Sequence, residues 1–339
     1  MSITIQPIES KEQWEQFVLG ERPHSFLHAW NWGEFQVAQG EAIRHIGLFD
    51  GNTLVGVALL VTVRARRGSF VFCPHGPVMD WGHTDYRSAF FHYVQTYARK
   101  QKVDFIRISP LLLQSDEHVQ FFRDARYRNA PIHMHPELAW MVDVTKSEQD
   151  LLLDMRKTTR YCIKRSEKEG VAIEKSTDSN ALTEFYRLYA ETVDRHQFVP
   201  FSREYLENEL TIFGADHQAM MFSARYNGGV IASALVIFYA DSSFYHQGAS
   251  SKKYPKVPAA YLLQWEVMKE AKRRGLRYHN FWGIVETENP KHPWHGLSLF
   301  KKGFGGFSEQ YVHAQDLPLT KKYWLNVAVE TFRRRKRGL

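Results

Sequence analysis

The chain repeats itself, and that limits its folds more than any single motif does. Residues 224–236, ARYNGGVIASALV, follow the pattern of residues 47–59, GLFDGNTLVGVAL. In both, two β-rich runs flank a tight turn with a glycine, Gly51 in the first and Gly228 in the second, 177 positions apart. Phe244–Gly248 then stands where Phe70–Pro74 stood. The helical period of Ala260–Arg274 matches that of Tyr86–Lys102, with Ala98 and Ala271 173 positions apart, and Tyr278–Gly283 matches Phe105–Pro110 at the same spacing. Similar offsets in features that keep one order indicate an internal duplication. Each copy is a set of helices, a hairpin, a strand, a helix and a strand. A chain of 339 residues suits two domains of roughly 150 residues, one per copy.

Local signals fill in each copy. Ser10 caps a short helix over residues 10–19, and Ser25–Gln36 is a second helix start with aromatics at helical spacing. Strands follow within Ile43–Val63 and over Gly68–Cys73, then a loop Pro74–Asp80. Tyr86–Lys102 puts Phe90, Phe91, Val94 and Tyr97 on one helical face, and Phe105–Pro110 reads as a buried strand. In the second copy, Gln149–Gly170 reads as one helix with Arg156, Lys157, Arg160 and Lys164 on a basic face. Ala181–Arg195 reads as another, with Phe185, Leu188 and Tyr189 spaced for a core.

Composition excludes several classes. No apolar run reaches the roughly 18 residues of a membrane span. The N-terminal residues MSITIQPIESKEQW lack the basic and apolar regions of a secretory signal, so a cytoplasmic location is expected. Two cysteines, Cys73 and Cys162, without CxxC spacing, argue against a disulfide scaffold or a cysteine-rich metal site. The formal charge of +7 favours polyanionic partners: nucleic acid, phosphate-bearing substrates or an anionic membrane face. Part of it sits in Arg333–Arg337, which reads equally as a solvated helix end.

Chemistry concentrates in Tyr278–Gly306, YHNFWGIVETENPKHPWHGLSLFKKGFGG. A strand Tyr278–Trp282 leads into a polar loop Glu286–Pro293 and then to Lys301 and Lys302, on a backbone that Gly303, Gly305 and Gly306 free for unusual torsions. A loop after a strand end that mixes Trp, His, Lys and Gly is a common setting for a site. The alternative is an exposed connection with a surface lysine pair.

FWGI, the turn Pro293–Gly296 and FKKGFGG together resemble the C-terminal signature of the FemABX family, the aminoacyl-tRNA-dependent transferases that build the peptide cross-bridge of peptidoglycan. The duplicated unit resembles the GNAT N-acyltransferase fold, and the family is built from two such units. The resemblance covers nearly the whole chain. It implies an α+β protein of two tandem GNAT-like domains, domain one being residues 1–144 plus 311–339 and domain two residues 145–310, with the C-terminal segment returning to domain one. No long heptad stretch is present, so the expected form is the compact one without a coiled-coil arm.

The implied reaction is attack of an acceptor amine on the ester carbon of an aminoacyl-tRNA, with no cofactor because the ester is already activated. The family's FK motif places the catalytic lysine at Lys301, with Phe300 beside it and Lys302 as the competitor. The acceptor is a uridine-diphosphate muramyl-pentapeptide or its lipid-linked form, held between the domains. Family-like landmarks are Trp30–Gln36, Gly76–Asp80, Thr192–Phe198 with Tyr205, and Tyr245–Ser250. From these and the neighbouring strand come the candidate substrate-binding residues Tyr205, Tyr245, Asp80, Trp32, Arg195 and Trp282. Tyr205 and Tyr245 suit hydrogen bonds to phosphate or peptide carbonyls. Asp80 suits the acceptor ammonium or its proton, or equally is a turn residue, and Trp32 reads as a core residue before a binding one.

The turn that in CoA-using GNAT proteins cradles pyrophosphate reads here Lys252–Ala260, with no glycine and with two prolines, Pro255 and Pro258. That argues against a standard acetyl-CoA site, while Lys252, Lys253 and Lys256 suit an RNA backbone or a solvated loop. Two departures from the family pattern alter the expected diphosphate grip: Glu34 stands where a phosphate-contacting lysine is expected and Phe201 where an arginine is, with Arg195 or Arg203 as substitutes. The competing readings are an acyl-CoA N-acyltransferase acting on a sugar or small amine, and a non-catalytic protein that binds RNA or a membrane surface. A monomer is expected, with the inner face of the membrane as a candidate peripheral partner.

Overall fold

The computed structural model describes residues 3–66, 68–196 and 199–336. Gln197 and Phe198 of the Thr192–Phe198 landmark, and Arg337 of the basic run, lie outside the described residues. The chain forms two compact units, Met1–Glu137 with Glu309–Leu339, and Leu138–Ser308.

The first unit begins with β1 (Ile3–Pro7), α1 (Lys11–Gly20), a 3-10 turn Phe26–His28, α2 (Trp30–Ala38), β2 (Ala42–Asp50), β3 (Thr53–Ala65) and β4 (Gly68–His75). It continues through β5 (Val78–Met79), α3 (Thr84–Lys100), β6 (Phe105–Pro110), α4 (Asp116–Asp124) and β7 (Arg128–Asn129). The second unit runs β8 (Leu138–Asp143), α5 (Glu148–Asp154), α6 (Lys157–Lys168), β9 (Ala172–Ser176), α7 (Asn180–His196), α8 (Arg203–Ala215), β10 (Ala219–Tyr226) and β11 (Gly229–Tyr239). Then come β12 (Ser242–Ser250), α9 (Ala259–Arg273), β13 (Tyr278–Gly283), α10 (His295–Lys302) and β14 (Phe307–Gln310). β15 (Gln315–Pro318) and α11 (Tyr323–Lys336) belong to the first unit again.

Apart from β5, the two sheets correspond strand for strand. Their orders are β1-β2-β3-β4-β6-β15-β7, with β5 beside β3, and β9-β10-β11-β12-β13-β8-β14. In each, a hairpin (β2-β3, β10-β11) pairs antiparallel, and the next two central strands (β4-β6, β12-β13) pair in parallel across a helix, α3 or α9. The turn glycines of the duplicated hairpins both take left-handed torsions, φ 59° at Gly51 and 76° at Gly228, which a side chain would strain.

Residues 138–144 read from sequence as part of domain one, but β8 pairs with β13 in the second sheet, so the first boundary falls at Glu137. The single helix expected over Gln149–Gly170 is two. Arg160 donates to the carbonyls of Leu152, Leu153 and Met155 at the end of α5, and the Arg156 amide donates to Gly303 O at 2.9 Å. These partners satisfy backbone groups that a continuous helix would have paired with itself.

β15 and α11 complete the first unit through one buried cation. Arg107 on β6 has no exposed surface and bonds both oxygens of Asp316 on β15 at 2.7 and 2.8 Å. It also bonds both oxygens of Glu330 on α11, at 3.1 and 2.8 Å, while the Tyr323 hydroxyl donates to Asp316. A buried guanidinium is tolerated only when its donors are met this fully.

Candidate active site

The two sheets differ where their parallel strands end. In the first unit β4 and β6 stay paired over six positions, from Phe70–Phe105 to His75–Pro110. In the second, β12 and β13 pair only from Ser242–Tyr278 to Phe244–Asn280 and then part. The parting is built into both strands. β12 carries a bulge against β11 in which Leu235 pairs with Gln247 and Val236 with Tyr245, leaving His246 as the extra residue. On β13, Trp282 takes φ 66°, rare for a bulky residue, and its amide is held by Asn280 Oδ1 at 2.7 Å. Open strand ends of this kind are where α/β sheets bind ligands.

Lys301 reaches this opening. It lies in the last turn of α10, not on the glycine-rich loop expected from sequence; the glycines instead follow the helix and end it. Ser298 and Lys301, one turn apart, are both buried. Ser298 Oγ accepts from the Val285 amide at 2.9 Å, and Lys301 Nζ donates to Gly283 O at 2.6 Å. Burial pushes the Lys301 ammonium down to about 7. His279, held by Ser243 Oγ at 2.8 Å and Gln264 Oε1 at 3.2 Å, is lowered to about 3, by burial first and by Lys301 second, and stays neutral. Phe300 is half-buried against Tyr261 and Phe304, with ring centroids 4.9 and 5.3 Å away, so it anchors α10 in the core.

A second titratable pair, absent from the sequence reading, sits on the other strand. His246 Nδ1 donates to Glu209 Oε1 of α8, and the His246 ring lies 5.9 Å from the Trp282 ring. Glu209 is fully buried, and its Oε2 has no hydrogen-bond partner among the described residues. A carboxylate on Nδ1 leaves Nε2 as the basic nitrogen of His246. Tyr205, in the first turn of α8, stacks on Phe201 at 4.2 Å, and its hydroxyl is pushed well above the usual range by burial, then by Glu209 and Tyr189. α8 therefore brings Tyr205 and Glu209 to the face of the sheet that holds His246 and Trp282.

The remaining candidates are placed as follows. Tyr245 belongs with Phe281 on the core side, its hydroxyl raised to about 12 by burial. Arg195 ties α7 to the end of β12, donating to Ser250 O at 3.1 Å and Ser250 Oγ at 3.2 Å. Arg203 is held by Glu207 and Thr183. Lys252, Lys253 and Lys256 are exposed on the loop before α9. In the first unit Trp32 is buried between Phe26 and Phe35, a core role. Asp80 is exposed and accepts from the Gly82 amide at 2.8 Å, which makes it a turn residue. Glu34 accepts from the Trp30 indole at 3.1 Å.

This geometry has relatives. The FemAB family model matches residues 9–132, and a model described as an acetyltransferase (GNAT) domain matches residues 154–289. A lipid II:glycine glycyltransferase of Staphylococcus epidermidis is 18% identical over 384 residues, covering 92% of each chain. The crystal structure of FemX superimposes with a TM-score of 0.86 at 18% identity, covering 97% of this chain and 100% of that one. Along nearly its whole length the chain is similar to FemABX proteins. Like the tandem GNAT protein from the clavulanic acid biosynthesis pathway (TM-score 0.57, 13% identity, 94% of this chain and 98% of that one), this chain consists of two GNAT-like units.

In this chain the entry to α9 is not shaped for a pyrophosphate. Its amides are used in local turns, Val257 to Tyr254 O, Ala259 to Val257 O and Tyr261 to Pro258 O, and Pro255 and Pro258 have none to offer.

Proposed function

We propose that this protein transfers an amino acid from an aminoacyl-tRNA to the stem-peptide amine of a peptidoglycan precursor, forming part of the cell-wall cross-bridge. The observation that carries the reading is the buried Lys301 amine at the parting of β12 and β13, within the unit whose fold is that of N-acyltransferases. The relatives named for glycyl transfer to lipid II support the substrate class and favour a lipid-linked acceptor. The expected compartment is the cytoplasm, where charged tRNA and the precursor meet. The exposed lysines 252, 253 and 256 give the tRNA phosphates a cationic approach.

In this reading the acceptor amine attacks the ester carbonyl carbon, a C–N bond forms, and the C–O bond to the terminal ribose breaks. The proton released by the amine goes to His246 Nε2, with Glu209 holding the imidazole in the required tautomer. Lys301 in its ammonium form faces the developing oxyanion and then supplies the proton that the departing ribose oxygen needs. His246 then passes its proton to solvent and Lys301 takes one from solvent, which restores both groups. The aminoacyl ester brings the activation, so the protein supplies position and charge.

The test is transfer of labelled amino acid from bulk charged tRNA to muramyl-pentapeptide acceptors, soluble and lipid-linked, with Lys301→Met in parallel. Transfer that collapses in the variant supports the reaction and the lysine together. Transfer that survives in the variant moves the site away from Lys301. Turnover of acyl-CoA on a sugar or small amine, with no transfer from any charged tRNA, replaces this reading.

A further inference from the structure

The last helix of the first unit is turned inside out. A surface helix ordinarily gives its apolar stripe to the core and its polar face to water. α11 does the reverse. Its inward face is largely polar: beside the Tyr323 ring packed on Phe105 and a half-buried Val327, the Tyr323 hydroxyl bonds Asp316, Asn326 is buried, Glu330 bonds Arg107, and Arg334 donates to Pro131 O at 3.0 Å. Its outward face carries Trp324, Leu325, Ala328 and Phe332, spaced along one side of the helix. Trp324, Leu325 and Phe332 are 52%, 55% and 67% exposed.

The charge around this apolar stripe has one sign. Arg333, Arg335 and Lys336 are exposed at its C-terminal end, Lys321 is exposed at its start, and the Arg128 guanidinium lies 4.8 Å from the Trp324 ring centroid. Glu330, the only carboxylate of the helix, faces inward. A second copy of the chain seated on this face would set like charges against each other. An RNA would use the charge and stack on the aromatics, but it has no use for Leu325 and Ala328. Aliphatic and aromatic groups ringed by cations fit a surface with acyl chains below and phosphates above.

We propose that the outward face of α11 docks on an anionic phospholipid bilayer. Trp324, Leu325 and Phe332 enter the boundary between headgroups and acyl chains, while Arg333, Arg335 and Lys336 meet lipid phosphates. This docking does not depend on the transfer reaction proposed above, and its test contains neither tRNA nor muramyl peptide. Were that reaction also correct, the helix would hold the enzyme at the surface that carries a lipid-linked acceptor.

The experiment is vesicle flotation of the full chain. Vesicles of phosphatidylcholine mixed with phosphatidylglycerol are compared with phosphatidylcholine alone, at low and physiological salt. The variants are Trp324→Ser/Phe332→Ser and Arg335→Gln/Lys336→Gln, all at exposed positions, with thermal melts to verify folding. The wild type should float with anionic vesicles and far less with neutral ones. The charge variant should lose roughly fivefold in partitioning per residue replaced. The apolar variant should lose at least as much and retain little salt-resistant binding. Equal flotation on both vesicle types, no flotation, or an apolar variant that binds like wild type would overturn the proposal. So would binding of bulk tRNA that needs Arg335 and Lys336 while vesicles go unbound, which would assign the run to RNA.

Discussion

Arg107 and Asp316, 209 residues apart in sequence, meet as a two-bond ion pair with neither side chain exposed to solvent. Removing one member strands the other's charge in the core, at a cost of about 3–5 kcal/mol. Arg107→Ala should therefore lower the urea midpoint of the first unit sharply. Arg107→Met with Asp316→Leu should recover part of the loss, because the double change leaves fewer buried charges unpaired. Two single variants and a double that fall additively would show that the pair is not coupled.

Lys301 predicts a pH-dependent stability. In the folded chain it releases its proton near 7, against an ordinary value of 10.5. Between those limits the unfolded chain binds more protons, so stability rises with pH across the window, by roughly 1.4 kcal/mol per pH unit. Below about pH 7 the penalty is constant. Lys301→Met removes it, so the variant's advantage over wild type should grow as pH falls from 10 to 7 and then level off. Denaturant midpoints at a series of pH values measure this. A gap independent of pH would mean that the amine is solvated in the native state.

Glu209→Gln keeps the shape of the side chain but not the carboxylate that fixes His246. If the pair takes up the acceptor's proton, kcat should fall roughly 100-fold with KM nearly unchanged. Thermal stability should change little. A structural role alone would show as a drop in thermal stability large enough to account for the lost activity.

Gly306 has φ 99°, and a Cβ there would stand 2.0 Å from Met141 O. The contact is with backbone, so it cannot be relieved by turning a side chain. Gly306→Ala should cost about 2–3 kcal/mol or more and lower the melting temperature of the second unit. Gly296→Ala, with open space around its Cβ, is the matched control and should be nearly silent.

The repeated framework was legible because its signals are local. A turn that needs a left-handed residue shows its glycine, as at Gly51 and Gly228, and a helix with one buried face shows its period, as in α3 and α9. The FK pair and its glycines are legible as a motif, and Gly305 and Gly306 do take left-handed torsions, but the lysines stand on a helix and not on the loop. Gly303, Gly305 and Gly306 mark the end of α10 and its passage beside β8, while both lysines stay helical. α8 has a readable start, Ser202 as N-cap to the Tyr205 amide with Leu206, Leu210 and Phe213 behind it. The Glu209–His246 pair had no signal in the sequence. Its members lie 37 residues apart, and only the bulge on β12 turns His246 toward α8.

The return of β15 and α11 to the first sheet has a consequence for synthesis. A nascent chain completes residues 138–308, the whole of the second unit, while Asp316 and Glu330 have yet to be made. Until they emerge, Arg107 has neither of its carboxylates and β6 has an open edge. The half of the protein that is translated first is thus the half that closes last, against the N-terminal-first order of most multidomain chains.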